Sequence, residues 1–167
     1  MSRIHSFPPL SDDRAERLVL GSMPGRASLL AQQYYAHPRN AFWPIMESLF
    51  GIARTLPYAQ RCARLVTRRV AVWDVLKTCT RSSSLDSDID PSTIVANDFV
   101  TFFVDHPGLQ AIYFNGAMAE NTFRRHVLPL LPPAAAQIPM TRLPSTSPAN
   151  AAYSLQQKLE SWRVIAD

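Results

Sequence analysis

Four segments of the chain are predicted to be buried strands, because each is a short apolar run bounded by turn residues. They are residues 17–23, 70–76, 109–115 and, approximately, 137–143. The first three are continuous apolar runs rather than alternations of apolar and polar residues. That pattern is typical of strands in a sheet that is covered on both faces.

Helical patterns separate the predicted strands, and they lie at residues 40–50, 56–69, 90–105, 116–131 and 150–164. The third begins at Asp90-Pro91, an acidic cap followed by proline in the first turn. Alternating strands and helices favour a parallel sheet with helices on both faces. We therefore predict an α/β fold in which residues 1–167 form a single domain. It is expected to be a three-layer α/β/α sandwich around a mostly parallel four-stranded sheet.

The composition is that of an ordinary globular domain with a small basic excess. Hydrophobic residues make up 47% of the chain, so disorder is not expected. The formal net charge is +4, and Lys77 and Lys158 are the only lysines among the 17 basic residues. Arginine suits bidentate phosphate contacts better than lysine does. A polyanionic partner is therefore compatible with the composition, although a charge of this size does not establish one.

Cysteine usage and hydropathy restrict the class of protein. Cys62 and Cys79 are too few for a disulfide framework, a four-cysteine zinc site or an iron–sulfur cluster, and they are expected to be reduced and buried. His5, His106 and His126 have no metal-ligand spacing. No apolar run approaches the ~18 residues of a membrane span, and the first residues lack a secretory signal core. We expect a cytoplasmic protein without a cofactor, a metal, a metal cluster or a membrane partner.

Polar or glycine-bearing turns follow all four predicted strands. These turns are residues 21–25, 73–77, 113–116 and 143–150. In parallel α/β sheets the ligand site lies outside the carboxyl ends of the strands. The four turns are therefore predicted to converge on one crevice.

Each turn has a structural interpretation beside the functional one. Residues 21–25 (GSMPG) lack the Walker and GxGxxG patterns, and form either a tight turn or a place where backbone approaches a ligand. Residues 33–43 combine aromatic residues with His, Arg and Asn, which suits a pocket for a planar ring, yet Asn40 could equally be a helix cap. Residues 144–148 (PSTSP) offer hydroxyl and N–H groups for a phosphate, or a serine cap.

Taken together, these motifs resemble the uracil-DNA glycosylase superfamily. GSMPG at 21–25 and HPRNAFW at 37–43 are similar to motifs of its mismatch-specific branch. Their combination with WDVLKTC at 73–79 and LPSTSPAN at 143–150 more closely resembles the hypoxanthine-DNA, or deoxyinosine, glycosylase branch. The resemblance implies a monofunctional hydrolase that flips deaminated bases, hypoxanthine and also uracil, out of DNA and leaves an abasic site.

Two positions depart from the superfamily pattern. Met23 stands where the mismatch-specific branch has a water-positioning Asn, and Leu143 stands where the uracil enzymes have a His. The resemblance to the hypoxanthine branch moves the key amide to Asn40. Asn40 is therefore the expected catalytic residue, orienting water or binding the base.

The remaining roles are hypotheses drawn from the same comparison of motifs. The residues expected to bind the base are Ser22, Met23, Tyr34, Tyr35, Asp74 and Asn115. Those expected to contact DNA are Gly25, His37, Ser145, Thr146, Ser147 and Pro148. One of the two tyrosines is expected to stack on the extruded base. Lys77 is the one amine considered for a Schiff base, and hydrolysis without a lyase step is favoured.

Three alternatives remain open from the sequence. The first is a uracil- or mismatch-preferring glycosylase, because one chain does not reveal the pocket's base preference. The second is a catalytically degenerate member that binds nucleic acid, since Met23 and Leu143 replace residues with chemical roles. The third is a small-molecule hydrolase, whose substrate affinity would depend little on salt. The expected partner is DNA that contains deaminated bases, bound by a monomer.

Overall fold

The computed structural model describes residues 2–167, so Met1 of the predicted domain lies outside the described residues. Strands and helices alternate along this part of the chain. The strands are β1 (Arg3–His5), β2 (Arg17–Gly21), β3 (Val70–Asp74), β4 (Leu76–Thr80), β5 (Val95–Ala96), β6 (Ala111–Asn115) and β7 (Met140–Leu143). The helices are α1 (Arg26–Ala31), α2 (Phe42–Phe50), α3 (Tyr58–Thr67), α4 (Phe99–Asp105), α5 (Ala117–His126), α6 (Pro133–Ala136) and α7 (Leu155–Trp162).

A four-stranded sheet in the order β3-β2-β6-β7 forms the centre of the molecule. All three pairings are parallel, and Leu18 of β2 aligns with Ala71 of β3 and Ile112 of β6. The four predicted strands are confirmed, although β2 ends at Gly21 and β3 at Asp74, two residues earlier than predicted. Every residue of β3 is buried, which explains its continuous apolar run.

Two apolar layers cover the central sheet, one on each face. Leu18 and Leu20 of β2 pack in the layer that holds Phe99 of α4 and Phe123 of α5. Val19 points to the other face, since successive side chains of a strand alternate. The layer on that face contains residues of α2, α3 and α7, namely Phe42, Trp43, Ile45, Met46, Cys62, Leu65 and Trp162. The predicted three-layer α/β/α arrangement is confirmed.

A second, antiparallel sheet in the order β1-β4-β5 was not predicted. Val75 separates β3 from β4. Its N–H still bonds to the Gly21 carbonyl of β2, but β4, which follows, pairs with β1 and β5 instead. The predicted strand at 70–76 therefore spans the boundary between β3 and β4, which belong to different sheets. β1 and β5, of three and two residues, are too short to show a clear period in the sequence.

The predicted helix at 90–105 is wrong in its first half. Asp90 does accept the Ser92 N–H and Pro91 does follow it, but they open only the 3₁₀ turn Pro91–Thr93. β5 then pairs with β4, and α4 begins later, where Asp98 caps the Thr101 N–H. The pairing of β5 with β4 thus overrides the helix-start signal of Asp90 and Pro91.

The other predicted helices differ mainly at their ends, and two short helices were missed. α7 begins at Leu155 behind a Ser154 cap, five residues after the predicted start at 150. α5 ends at His126, before the 3₁₀ turn Leu128–Leu130. α1 and α6, of six and four residues, are too short to show a helical period. No helix within residues 2–167 has the length and apolar character needed to cross a membrane.

Candidate active site

A crevice of about 980 Å³ opens at the carboxyl edge of the parallel sheet. The turns after β2, β3, β6 and β7 all line it, as the strand order requires. Every residue named for the site from the sequence lies on its wall, from Ser22 at one turn to Pro148 at another. The topology has therefore brought distant motifs to one place.

The two adjacent tyrosines differ in what their side chains do. Tyr34 is 5% exposed, and its hydroxyl donates to the Pro8 carbonyl at 2.7 Å, so its ring is mainly a core element. Tyr35 packs one ring face on Phe42, with centroids 4.3 Å apart. Its φ of 56° is uncommon for an aromatic residue and turns the chain there. Tyr35 is thus the better candidate to present a ring to a planar ligand.

Gly21 allows two polar side chains to meet the end of β2. A Cβ at Gly21 would lie 2.5 Å from Asp74 Oδ1 and 2.9 Å from the Tyr35 hydroxyl oxygen. Within residues 2–167, neither the Tyr35 hydroxyl nor Asp74 Oδ2 has a hydrogen-bond partner. Buried polar atoms normally have a hydrogen-bond partner, so these two unpaired atoms of crevice residues indicate a place for a ligand.

Asp74 is a buried acid with an unusual protonation equilibrium. It is 3% exposed, and its surroundings together raise the pKa of its carboxyl to about 7. Burial is the largest cause, the negative charge of Asp86 adds to it, and the Arg81 guanidinium opposes both. Burial and the Asp74 charge raise the pKa of the Tyr35 hydroxyl more than the neighbouring Asn115 amide lowers it, so Tyr35 stays neutral.

Asn115, at the end of β6, is held in place by Thr146. Its Nδ2 donates to the Thr146 hydroxyl at 2.9 Å, and its Oδ1 accepts the Thr146 N–H at 2.9 Å. Thr146 is 1% exposed. The Thr146 hydroxyl is therefore buried against Asn115, and a contact between Thr146 and DNA stays a prediction. The Asn115 amide keeps one N–H and one lone pair for another partner.

The loop at 144–150 is fixed from behind by α7. Trp162 Nε1 donates to the Pro144 carbonyl at 2.9 Å, and Lys158 Nζ donates to the Ser147 carbonyl at 3.2 Å. Lys158 is only 6% exposed, and burial lowers its pKa. A buried ammonium therefore lies directly behind the crevice loop.

The hydroxyls of Ser145 and Ser147 face their own loop as acceptors. Ser145 Oγ accepts the Ser147 N–H, and Ser147 Oγ accepts the Ala149 N–H, both at 3.2 Å. Each O–H proton remains available for donation. Such a turn can hold an anion without rearranging.

Asn40 combines a structural contact with a free amide end. Its Oδ1 accepts the Phe42 N–H at 2.9 Å at the start of α2. Nδ2 makes no hydrogen bond within the described part of the chain, and the half-buried residue lines the crevice. His37 is similar, since its Nδ1 accepts the Arg39 N–H at 3.1 Å. The fixed Asn40 therefore presents donors rather than a free carbonyl.

The segment 84–87 forms one wall of the crevice, and the sequence analysis did not predict it. Asp86 belongs to the 3₁₀ turn Asp86–Asp88, and its Oδ1 accepts the Ser22 hydroxyl proton at 2.6 Å. The run Ser82 to Asp88 is rich in serine and aspartate, which was the available signal.

Arg81 was also missed, and it is a buried cation behind the turn at 21–25. It is 9% exposed and donates Nη2–H to the Pro24 carbonyl at 2.6 Å. Its Nε and Nη1 have no partner within residues 2–167. Because arginine is rarely buried, the sequence does not indicate that Arg81 lies inside the protein.

Three further groups bear on the chemistry. Met23 is 7% exposed and packs with Leu76, Cys79 and Ile89, so its side chain belongs to a small apolar cluster. Lys77 lines a separate cavity of about 400 Å³ rather than the crevice. Within residues 2–167 there is no group of three or more His, Cys, Asp or Glu residues that could hold a metal ion.

Comparison with known proteins yields one consistent family. The sequence profile of the uracil DNA glycosylase superfamily matches residues 8–166. A protein of Methanosarcina acetivorans named hypoxanthine DNA glycosylase is 34% identical over 160 residues, which cover 95% of each chain. One of Methanosarcina barkeri with the same name is 36% identical over 111 residues, 66% of this chain and 69% of the other.

A solved structure is also similar. It is a solution NMR structure of a candidate uracil DNA glycosylase from Methanosarcina acetivorans, with a TM-score of 0.79 and 31% sequence identity. The alignment covers 99% of this chain and 100% of that one. The likeness thus extends over the whole fold.

Proposed function

The chain belongs to the uracil DNA glycosylase superfamily, and on that premise we propose that it is a monofunctional DNA glycosylase for deaminated bases. It hydrolyses the N-glycosidic bond of deoxyinosine and leaves an abasic site. One observation carries the proposal. The ring of Tyr35, the carboxyl of Asp74 and the amides of two asparagines line a single crevice beside a polar loop.

The base leaves the duplex before it reacts, because its glycosidic bond is inaccessible in the stack. Tyr35 stacks on the extruded base, a contact worth ~1–3 kcal/mol. Asn115, held by Thr146, uses its remaining N–H and lone pair on the lactam edge of hypoxanthine, donating to O6 and accepting from N1–H. Ser22 and the Met23 backbone complete the wall.

Asn40 acts through the amide protons that its hydrogen bond to Phe42 leaves free. It orients the attacking water or binds the base. Because α2 fixes its carbonyl oxygen, the direction of those donors is set before substrate arrives. Such preorganisation avoids a reorganisation cost during the reaction.

The rim of the crevice binds the DNA strand. The hydroxyls of Ser145 and Ser147 donate to a phosphate, and Pro148 borders the gap that the flipped base leaves. Gly25 and His37 also line the crevice and face the strand. These contacts are sequence-independent, so they position the strand rather than select the base.

Hydrolysis proceeds without a lyase step, because a Schiff base requires an accessible amine near the sugar. Lys77 opens onto another cavity, and Lys158 is buried and bonded to the Ser147 carbonyl. The free, buried thiols of Cys62 and Cys79 suit a reducing, cytoplasmic setting.

A glycosylase assay tests the proposal. Oligonucleotides that carry one deoxyinosine, deoxyuridine or mismatched thymine are incubated with the wild-type protein and with Asn40→Ala, then cleaved with alkali. We expect strand cleavage at deoxyinosine and a loss of ~10²-fold or more in Asn40→Ala, because a positioned catalytic group contributes about that much.

The other outcomes distinguish the alternatives. Cleavage at deoxyuridine alone would keep the family and contradict the base preference. A folded protein that binds DNA and cleaves none of these substrates would be the degenerate binder. An Asn40→Ala variant with full turnover would show that Asn40 is only a structural residue of α2.

A further inference from the structure

Two carboxyl groups from distant segments line the crevice. Asp74 ends β3 and is 3% exposed, with an Oδ2 that has no hydrogen-bond partner within residues 2–167. Asp86 reaches the same crevice from the 3₁₀ turn Asp86–Asp88 and accepts a hydrogen bond from Ser22. Tyr35 lies beside Asp74 at Gly21. A planar base stacked on Tyr35 would therefore be next to Asp74.

The surroundings of the two carboxyl groups favour opposite protonation states. Asp74 is enclosed, and both burial and the Asp86 charge raise the pKa of its carboxyl, against the Arg81 guanidinium. Burial raises the pKa of Asp86 as well, but the Ser22 hydroxyl and Arg81 stabilise its charged form. The neutral Tyr35 hydroxyl adds no charge. Asp86 therefore ionises first, and Asp74 retains its proton into the neutral range.

We propose that Asp74 is the general acid that protonates N7 of the leaving purine, and that Asp86 is the general base for the attacking water. The inference rests on the glycosylase function proposed above and assigns the acid and base of that same site. Two carboxyl groups with separated proton affinities in one site are the usual arrangement for such a division of roles.

The step balances with water as the only co-reactant. The C1′–N9 bond breaks and its electron pair moves to N9, while the Asp74 proton passes to N7. Hypoxanthine then leaves as a neutral tautomer with protons on N1 and N7. The water oxygen forms a bond to C1′, and its proton passes to the Asp86 carboxylate. Proton exchange through solvent from Asp86 to Asp74 restores the starting state.

A substrate that lacks N7 removes the proton acceptor, so it tests the role of Asp74 in the wild-type protein as well as in a variant. Single-turnover excision is measured on duplexes that contain deoxyinosine or 7-deaza-2′-deoxyinosine, with the wild type and Asp74→Asn. We expect Asp74→Asn to lose ~10²–10⁴-fold on deoxyinosine. The wild type should lose a comparable factor on the 7-deaza substrate, where Asp74→Asn should add no further loss.

The pH profile and a matched variant complete the test. The wild-type rate on deoxyinosine should fall as the pH rises through about 7, because Asp74 loses the proton that it must donate. Asp86→Asn should lose ~10²-fold or more, since it still accepts from Ser22 but takes up no proton. The control Asp88→Asn, in the same turn but outside the crevice, should match the wild type.

Each contrary outcome has a definite meaning. Wild-type turnover of deoxyinosine with an unimpaired Asp74→Asn, or equal cleavage of the 7-deaza substrate, would overturn the acid assignment alone. An unimpaired Asp86→Asn would overturn the base assignment. No excision by a folded, DNA-binding wild type would overturn the glycosylase function and this inference with it.

Discussion

At the scale of single residues, Gly21 determines how closely the polar groups of the crevice approach the sheet. Its missing side chain leaves room for both the Asp74 carboxyl and the Tyr35 hydroxyl. The left-handed φ of Tyr35 turns that side chain back toward β2. The geometry of the site therefore depends on one glycine and one unusual backbone conformation.

Gly21→Ala should disrupt this contact. The new Cβ would meet Asp74 Oδ1 at 2.5 Å and the Tyr35 hydroxyl at 2.9 Å, so both must shift. We expect an excision rate lower by ~10²-fold, since a misplacement of about 1 Å in a site has that effect. Gly108→Ala is the matched control, because Gly108 lies outside the crevice and the nearest neighbour of its new Cβ would be the Ala15 carbonyl oxygen at 3.4 Å, an ordinary contact. Equal rates for both variants would contradict the role of Gly21.

At the scale of elements, α7 supports the crevice loop without lining its polar wall. Its residues Lys158 and Trp162 hold the loop carbonyls of Ser147 and Pro144. The helix starts with a capping box, in which Ser154 Oγ accepts the Gln157 N–H and the Gln157 side chain accepts the Ser154 N–H. The cap at Ser154 is separate from the two residues that hold the loop, so its contribution to stability can be measured apart from the chemistry of the site.

Ser154→Ala should lower the free energy of unfolding by about 1 kcal/mol, the usual effect of losing an N-cap. The excision rate should stay at the wild-type level under folding conditions. Urea denaturation and the deoxyinosine assay measure the two effects. Ser161→Ala on the same helix is the control, because its hydroxyl only bonds the Gln157 carbonyl of the preceding turn. A stability change as large in Ser161→Ala would contradict the capping role.

At the scale of the whole molecule, arginines on the crevice, where we propose that DNA binds, have different surroundings from those near α3. Arg26 begins α1, is exposed and lines the crevice. Arg61 of α3 instead packs over Trp43 at 4.7 Å, and Arg68 packs near Phe50 at 5.8 Å. These two arginines thus pack against the protein's own aromatic side chains.

Arg26→Ala should weaken DNA binding and reduce the slope of log affinity against log salt by about 1, as for the loss of one phosphate contact. Arg64→Ala removes another exposed arginine, which belongs to α3 and lies outside the crevice, and it should leave the slope unchanged. Fluorescence anisotropy over a salt series measures both. A slope that falls equally in the two variants would indicate binding to overall charge rather than along the crevice.

The sequence by itself determined the central sheet, its two apolar layers and the turns that meet at the crevice. These features follow from local apolar runs and from chain order, since carboxyl ends of parallel strands share one edge. The tertiary structure alone decided that the Tyr34 hydroxyl is bonded to the Pro8 carbonyl, that Thr146 holds Asn115, and that the charges of Asp86 and Arg81 act on Asp74. The second sheet also depends on tertiary structure, because β5 pairs with β4 where the sequence predicted the first half of a helix. Each of these outcomes depends on contacts such as Ser22 to Asp86, 64 residues apart. No local pattern records such a contact, because burial and charge at a site are properties of the folded neighbours.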